Sequence, residues 1–331
     1  MFTTEDDGDF KETEVETCAQ LFLRLASKPS LEFLDRHLFP CNFPKPGEVI
    51  EIHGSSATGK TELLMNLMSK CILPKRWKGI EIDGFEAEVL FIDTDYKFSV
   101  MKLHQMLKKQ LLKIINLKSV EEFSSSSSGD TKRQKQTDSS SMGEAVKVKI
   151  DESVLEELVK SSLDRLYLVK CSSTNQLLIT LHSIEAIFSQ HPQLTVLMLD
   201  NLSAFYWEDR IRTGDNWTKF EELNNKVLTL LQTLIKEYNL VLFLTKNSTP
   251  MQGVKGGKAS SSTDLDQNES FNTKSWCKIS NYRLILTRTD FPFPIMVDGD
   301  KRHSSFCVKV FYQGQQHQCK LYISSDGISY A

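Results

Sequence analysis

The 331-residue chain has only seven cysteines, an odd number, and no Cys-x-x-Cys pair, which argues against a disulfide framework and against a zinc site. The thiols read as reduced and intracellular. The chain opens with no apolar stretch and contains no run of about eighteen apolar residues, so neither secretion nor membrane spanning is expected. A basic excess is also missing. With a net charge of −3 and a pI near 6.2 the protein is not an autonomous nucleic-acid binder, and any DNA contact is expected to be local or shared. The histidines are scattered without metal spacing, and no internal repeat is found.

What is present is concentrated in one motif, Gly54-Ser55-Ser56-Ala57-Thr58-Gly59-Lys60-Thr61. The preceding Val49-Ile50-Glu51-Ile52-His53 alternates as a strand does, and Glu62 to Ser69 has helical composition. Strand, glycine-bounded loop and helix in that order make a P-loop. Backbone N–H groups of such a loop and the helix N-terminus attract phosphate oxygens. In that chemistry Lys60 reaches the β and γ oxygens and the Thr61 hydroxyl ligates magnesium. ATP and Mg2+ are therefore the expected cofactors.

Hydrophobic content of 40% over this length suffices for one large α/β domain with extra segments. Residues 1–46 read as an acidic tail, a short helix with Val15, Ala19, Phe22 and Leu25 on one face, and a Pro-rich lead-in, so the core is expected from residue 47 to 331. Buried strands are expected at Val89–Asp93, Leu166–Val169, Thr195–Asp200 and Leu240–Leu244, alternating with amphipathic helices, and β structure is expected over Tyr282–Thr287, Ser305–Phe311 and Cys319–Ile323. Apolar strands separated by helices imply a mostly parallel sheet covered on both faces. Residues 124–142, rich in serine, are expected to be a disordered insertion, and 250–273 a mobile loop whose lysines at 255 and 258 suit either solvent or DNA. Phe205-Tyr206-Trp207 is read as core or a subunit contact in preference to a base-stacking platform.

Asp200 closes an apolar strand, the arrangement in which a carboxylate helps hold magnesium beside a P-loop. Taken in order, Gly54 to Thr61, Phe91-Ile92-Asp93-Thr94-Asp95, Leu199 to Trp207, Leu242 to Asn247, Lys274 to Cys277 with Asn281 to Leu284, and Tyr322 to Ile328 make a set that resembles the RecA family of recombinases, over about residues 45 to 330. The resemblance implies a RecA-like P-loop ATPase core and an ATP-binding accessory subunit of a recombinase-paralogue hetero-oligomer. It implies a nuclear role in homologous recombination repair, assisting recombinase loading on single-stranded DNA, with single-stranded or branched DNA reached through the complex and no membrane involved. The alternatives are a DNA-stimulated ATPase driving strand pairing and, more remotely, a P-loop kinase lacking an obvious arginine-rich lid.

Two departures from the family pattern bear on activity. Asp95 stands where the family's water-orienting Glu is expected, and Asn247 where a γ-phosphate-sensing Gln is expected. Each is one methylene short, and a displacement of about 1 Å can cost about 10²-fold in rate, so binding with poor turnover is expected. A third departure is that residues 1–46 leave no room for the family's helical DNA-binding domain and docking linker, which implies a subunit at the end of a row with a paralogue partner on one side.

Overall fold

The computed structural model describes residues 18, 21, 28–40, 43–125, 152–214, 216–247, 279–289, 304–324 and 327–331, without the side chains of 117–125 and 189. The N-terminal helical face, the lysines at 255 and 258, the loop at 250–273 and Lys274 to Cys277 lie outside those residues.

The chain order is β1 (Val49–Gly54), α1 (Lys60–Ile72), a short hairpin of β2 (Arg76–Trp77) and β3 (Ile80–Glu81), β4 (Glu88–Asp93), α2 (Val100–Ser125), α3 (Glu152–Leu163) and β5 (Leu166–Lys170). It continues through α4 (Thr174–Ser183), α5 (Glu185–Gln190), β6 (Leu194–Asp200), α6 (Tyr206–Arg212), α7 (Trp217–Glu237) and β7 (Val241–Asn247). The last strands are β8 (Tyr282–Thr289), β9 (Ser304–Tyr312), β10 (Gln315–Ser324) and β11 (Gly327–Tyr330). Local chemistry sets several starts. The Ser173 hydroxyl accepts from Gln176 N at 3.2 Å to cap α4, and the Asn216 side chain accepts from Lys219 N at 3.2 Å to cap α7. Helix α2 runs through Ser125, so the first two serines of the expected insertion continue it, and residues 126–142 fall outside the described set.

Nine strands form one sheet in the order β11-β10-β9-β8-β1-β7-β6-β4-β5. From β8 to β5 the pairing is parallel, and β8 to β11 pair antiparallel. The strand period of two sends Val89 and Phe91 of β4 to one apolar cluster and Leu90 and Ile92 to another. The first cluster is shared with α1, α2 and α3, the second with α4, α5 and α7. Both faces are therefore covered, which is why the central strands are continuous apolar runs.

One expectation is corrected here: the core does not begin at residue 47. Leu31, Leu34, Leu38 and Phe39 are all buried in the first cluster. Asp35 anchors this segment. Its Oδ1 accepts from the N–H groups of His37 and Leu38, both at 3.1 Å, while its Oδ2 takes Lys70 Nζ and the Tyr330 hydroxyl, both at 2.6 Å. The lead-in is thereby tied to α1 and to the final strand, and the His37 ring stacks on Tyr330 at 4.3 Å. On the other side Lys28 Nζ donates to Leu194 O at 2.7 Å and to Tyr238 O, with its pKa lowered by burial to about 8. Turn geometry, with Phe33 at φ +65°, gives this stretch no helical or strand period by which to recognise it.

Candidate functional site

Parallel strands deliver their carboxyl ends to one edge, and register decides which residues meet there. Gly54 at the end of β1 is paired with Asn247 at the end of β7, and Asp93 of β4 with Asp200 of β6. Because β1, β7, β6 and β4 are consecutive neighbours in the sheet, the loops that leave them converge.

The Gly54–Thr61 loop needs its glycines for space as well as for conformation. Gly59 has φ +82°, and a Cβ there would stand 2.3 Å from Ile323 Cδ1. At Gly54 an added Cβ would meet Leu286 O at 2.9 Å. Thr58 Oγ1 donates to Ser55 O at 2.9 Å, closing the turn. Lys60 Nζ lies inside the curl, donating to Gly54 O at 2.9 Å and Ser55 O at 2.7 Å. Burial lowers its pKa to about 8, with Asp200 and Asp95 opposing that fall and Lys97 adding to it.

Beside the lysine, the Thr61 hydroxyl donates to Asp200 Oδ2 at 2.6 Å, and Thr245 donates to Asp200 Oδ1. Burial raises the pKa of the Asp200 carboxyl; the two hydroxyls hold it down, and Asp95 and Asp93 push it further up. A divalent cation would relieve that crowding of carboxylates, and a hydroxyl plus a carboxylate is the hard-oxygen pair such an ion uses. Among the described residues no group of three or more His, Cys, Asp or Glu that could by itself hold a metal ion is found.

The loop after β4 supplies Asp95. Its Oδ2 accepts from Lys97 Nζ at 2.8 Å and from Asn201 Nδ2 at 3.3 Å. Asn201 Oδ1 in turn accepts from the Ser203 hydroxyl at 2.8 Å, and Ser203 Oγ accepts from Asn247 N at 2.8 Å. A polar chain thus runs from Asp95 to Asn247 across the carboxyl edge.

These groups surround a cavity of about 430 Å³. Of the residues predicted from sequence, Ser56, Ala57, Thr58, Gly59, Lys60, Thr61, Asp95, Asp200 and Asn247 are on its wall. Gly54 and Ser55 are not on the wall; their carbonyls hold the Lys60 ammonium. Sequence reasoning missed Lys97 and Asn201, and also Ser304, Phe306 and Ile323, which reach the wall from the antiparallel strands β9 and β10. Asn201 and Ile323 lie inside stretches already singled out, but nothing in spacing alone marks Phe306. Of the aromatic triplet, Phe205 is buried and Trp207 is 65% exposed.

Behind the loop sits a second charged group. Glu51, His53, Lys246 and Arg283 come from β1, β7 and β8, and Glu51 and Lys246 are only 1% and 2% exposed. Glu51 pairs with Lys246 and with His53 Nε2 at 2.7 Å. Burial works to raise the Glu51 pKa, yet the His53 hydrogen bond and the Lys246 charge carry it well below the usual carboxylate range.

Over 289 residues, 86% of this chain and 87% of the relative, the sequence is 35% identical to the protein named DNA repair protein XRCC2 of Mus musculus. It is 33% identical over 215 residues to DNA repair protein XRCC2 homolog of Arabidopsis thaliana, covering 62% of this chain and 55% of that one. No protein-family model matches the chain.

Proposed function

Because the chain belongs to the XRCC2 family of DNA repair proteins, within the RecA-type recombinase paralogues, we propose that it is an ATP- and magnesium-binding subunit of a nuclear recombinase-paralogue complex. Its role is in DNA repair. The finer reading is that the complex promotes homologous recombination by assisting recombinase loading on single-stranded DNA, with DNA engaged through the assembly. One observation carries the nucleotide part: Lys60 and Thr61 of the loop and the distant Asp95, Asp200 and Asn247 line one cavity.

In this reading Lys60 and the loop amides bind the phosphates. Thr61 and Asp200 would hold a magnesium ion that would supply charge neutralisation to the phosphates. Hydrolysis is weak because Asp95 is short of the usual Glu and its Oδ2 is occupied by Lys97 and Asn201.

The Lys60 pKa makes a pH prediction. A lysine whose free-state pKa is about 8 is mostly protonated below that pH and loses its charge above it. Bound phosphate raises that pKa, so binding takes up a proton where the free group is partly deprotonated. ATP affinity is expected to be flat below pH 7 and to fall above about pH 8 by up to tenfold per pH unit. Calorimetric titration in buffers of different ionisation enthalpy reads the proton uptake; a pH-independent affinity up to pH 9.5 would contradict the assignment of Lys60.

Among the described residues no strand pairs with the outer edge of β5, where Leu168 is 36% exposed. An extended segment of a recombinase-type partner would complete that edge. Leu168→Lys, a charge of the kind natural edge strands use against pairing, is expected to reduce recovery of a co-expressed paralogue by about tenfold. Undiminished recovery moves the partner surface elsewhere.

A further inference from the structure

We propose that Lys97 is a second phosphate-binding cation, one that distinguishes a nucleoside triphosphate from a diphosphate. The inference rests on the nucleotide-binding reading above. Lys97 follows β4 by four residues and shares the cavity wall with Lys60, Asp95 and Asn247. The residue before it, Tyr96, has φ +56°, a conformation rarely adopted by an aromatic residue. Backbone strain of this kind collects where a functional group must be held in place, and this turn brings Lys97 Nζ back to 2.8 Å from Asp95 Oδ2.

The charge distribution favours a ligand role over a purely structural one. An ammonium has three donors, and Asp95 accepts one of them, while the Lys97 side chain is 59% exposed. A lysine this exposed gains little by pairing with a single carboxylate. Its charge nonetheless faces the same cavity as that of Lys60. Two cations that repel each other on one wall have a common use if an anion with more than one phosphate joins them. Lys60 is fixed in the loop by two carbonyls and serves the phosphates any nucleotide presents there. Lys97 is held by Asp95 on a wall it shares with Asn201 and Asn247, and answers to the additional charge of the terminal phosphate. Asp95 is then both the partner that orients Lys97 and its competitor for the phosphate.

The test is calorimetric titration of the full chain with AMP-PNP and with ADP, each with magnesium. Lys97→Ala is expected to weaken AMP-PNP about tenfold, the loss of one charge-assisted contact, and to leave ADP within about twofold. Lys97→Arg, which retains the charge, is expected to keep AMP-PNP within about threefold of the parent chain. Equal loss on both ligands, no loss on either, or an arginine variant as weak as the alanine variant overturns the proposal. If the parent chain binds neither ligand, the nucleotide reading itself falls and takes the proposal with it; if it binds both and only the split is missing, that reading stands.

Discussion

Lys60→Ala is expected to weaken ATP binding by about 100-fold, the loss of a charge-assisted contact to the phosphates of up to about 3 kcal/mol. The Lys60 ammonium is already aimed by Gly54 O and Ser55 O, so the ligand does not have to order it. Stability is expected to move in the opposite sense or little at all. Burial disfavours the charged lysine, as its lowered pKa records, so deleting it removes a desolvation cost from the folded state. Titration calorimetry and a melting curve on one preparation separate the two effects. A variant that binds ATP as the parent does would place the phosphates away from this loop, and one that loses binding only because it unfolds would leave Lys60 a structural residue.

The second large effect concerns Lys246→Met. Lys246 and Glu51 are almost wholly buried, and removing the ammonium leaves a carboxylate with only His53 and the more distant Arg283, at 3.7 Å. Breaking one side of a buried ion pair costs about 3–5 kcal/mol. Adding Glu51→Leu to Lys246→Met is expected to recover most of that loss, because two apolar groups of similar volume need no partner. The pH dependence has a definite sign. A carboxyl held below its ordinary pKa contributes stability above about pH 4, the unfolded value, and that contribution fades as pH falls toward the folded value. Denaturant melts at pH 7 and pH 3 should therefore show the gap between parent and Lys246→Met narrowing in acid. A gap of equal size at both values would mean that Glu51 is not the group left behind.

The same pair shows what a sequence can and cannot disclose. Glu51 alternates with Ile50 and Ile52, so a strand reading gives it a polar face, yet the sheet buries that face beneath Lys246. Period two is local; coverage of a face is not. The loop Gly54–Thr61 is legible because its chemistry is written in adjacent residues. Asp200 is ambiguous alone, since a strand can end in Asp for capping reasons, and only its contact with Thr61, 139 residues away, ties it to the loop. Lys97 looks like any solvent-facing lysine until a left-handed turn returns it to Asp95. Leu31 to Phe39 fall before the core expected from residue 47 because a buried turn has no period, and Asp35 in this stretch is held by Lys70 and Tyr330 arriving from elsewhere.

The central claim is a nucleotide cradle of recombinase type that holds ATP but seldom cleaves it. Its most direct measurement is the identity of the nucleotide extracted from the full chain after purification in Mg-ATP. The account predicts stoichiometric nucleotide, recovered chiefly as ATP after an hour at 37 °C. Recovery of no nucleotide, or of ADP alone, would contradict it.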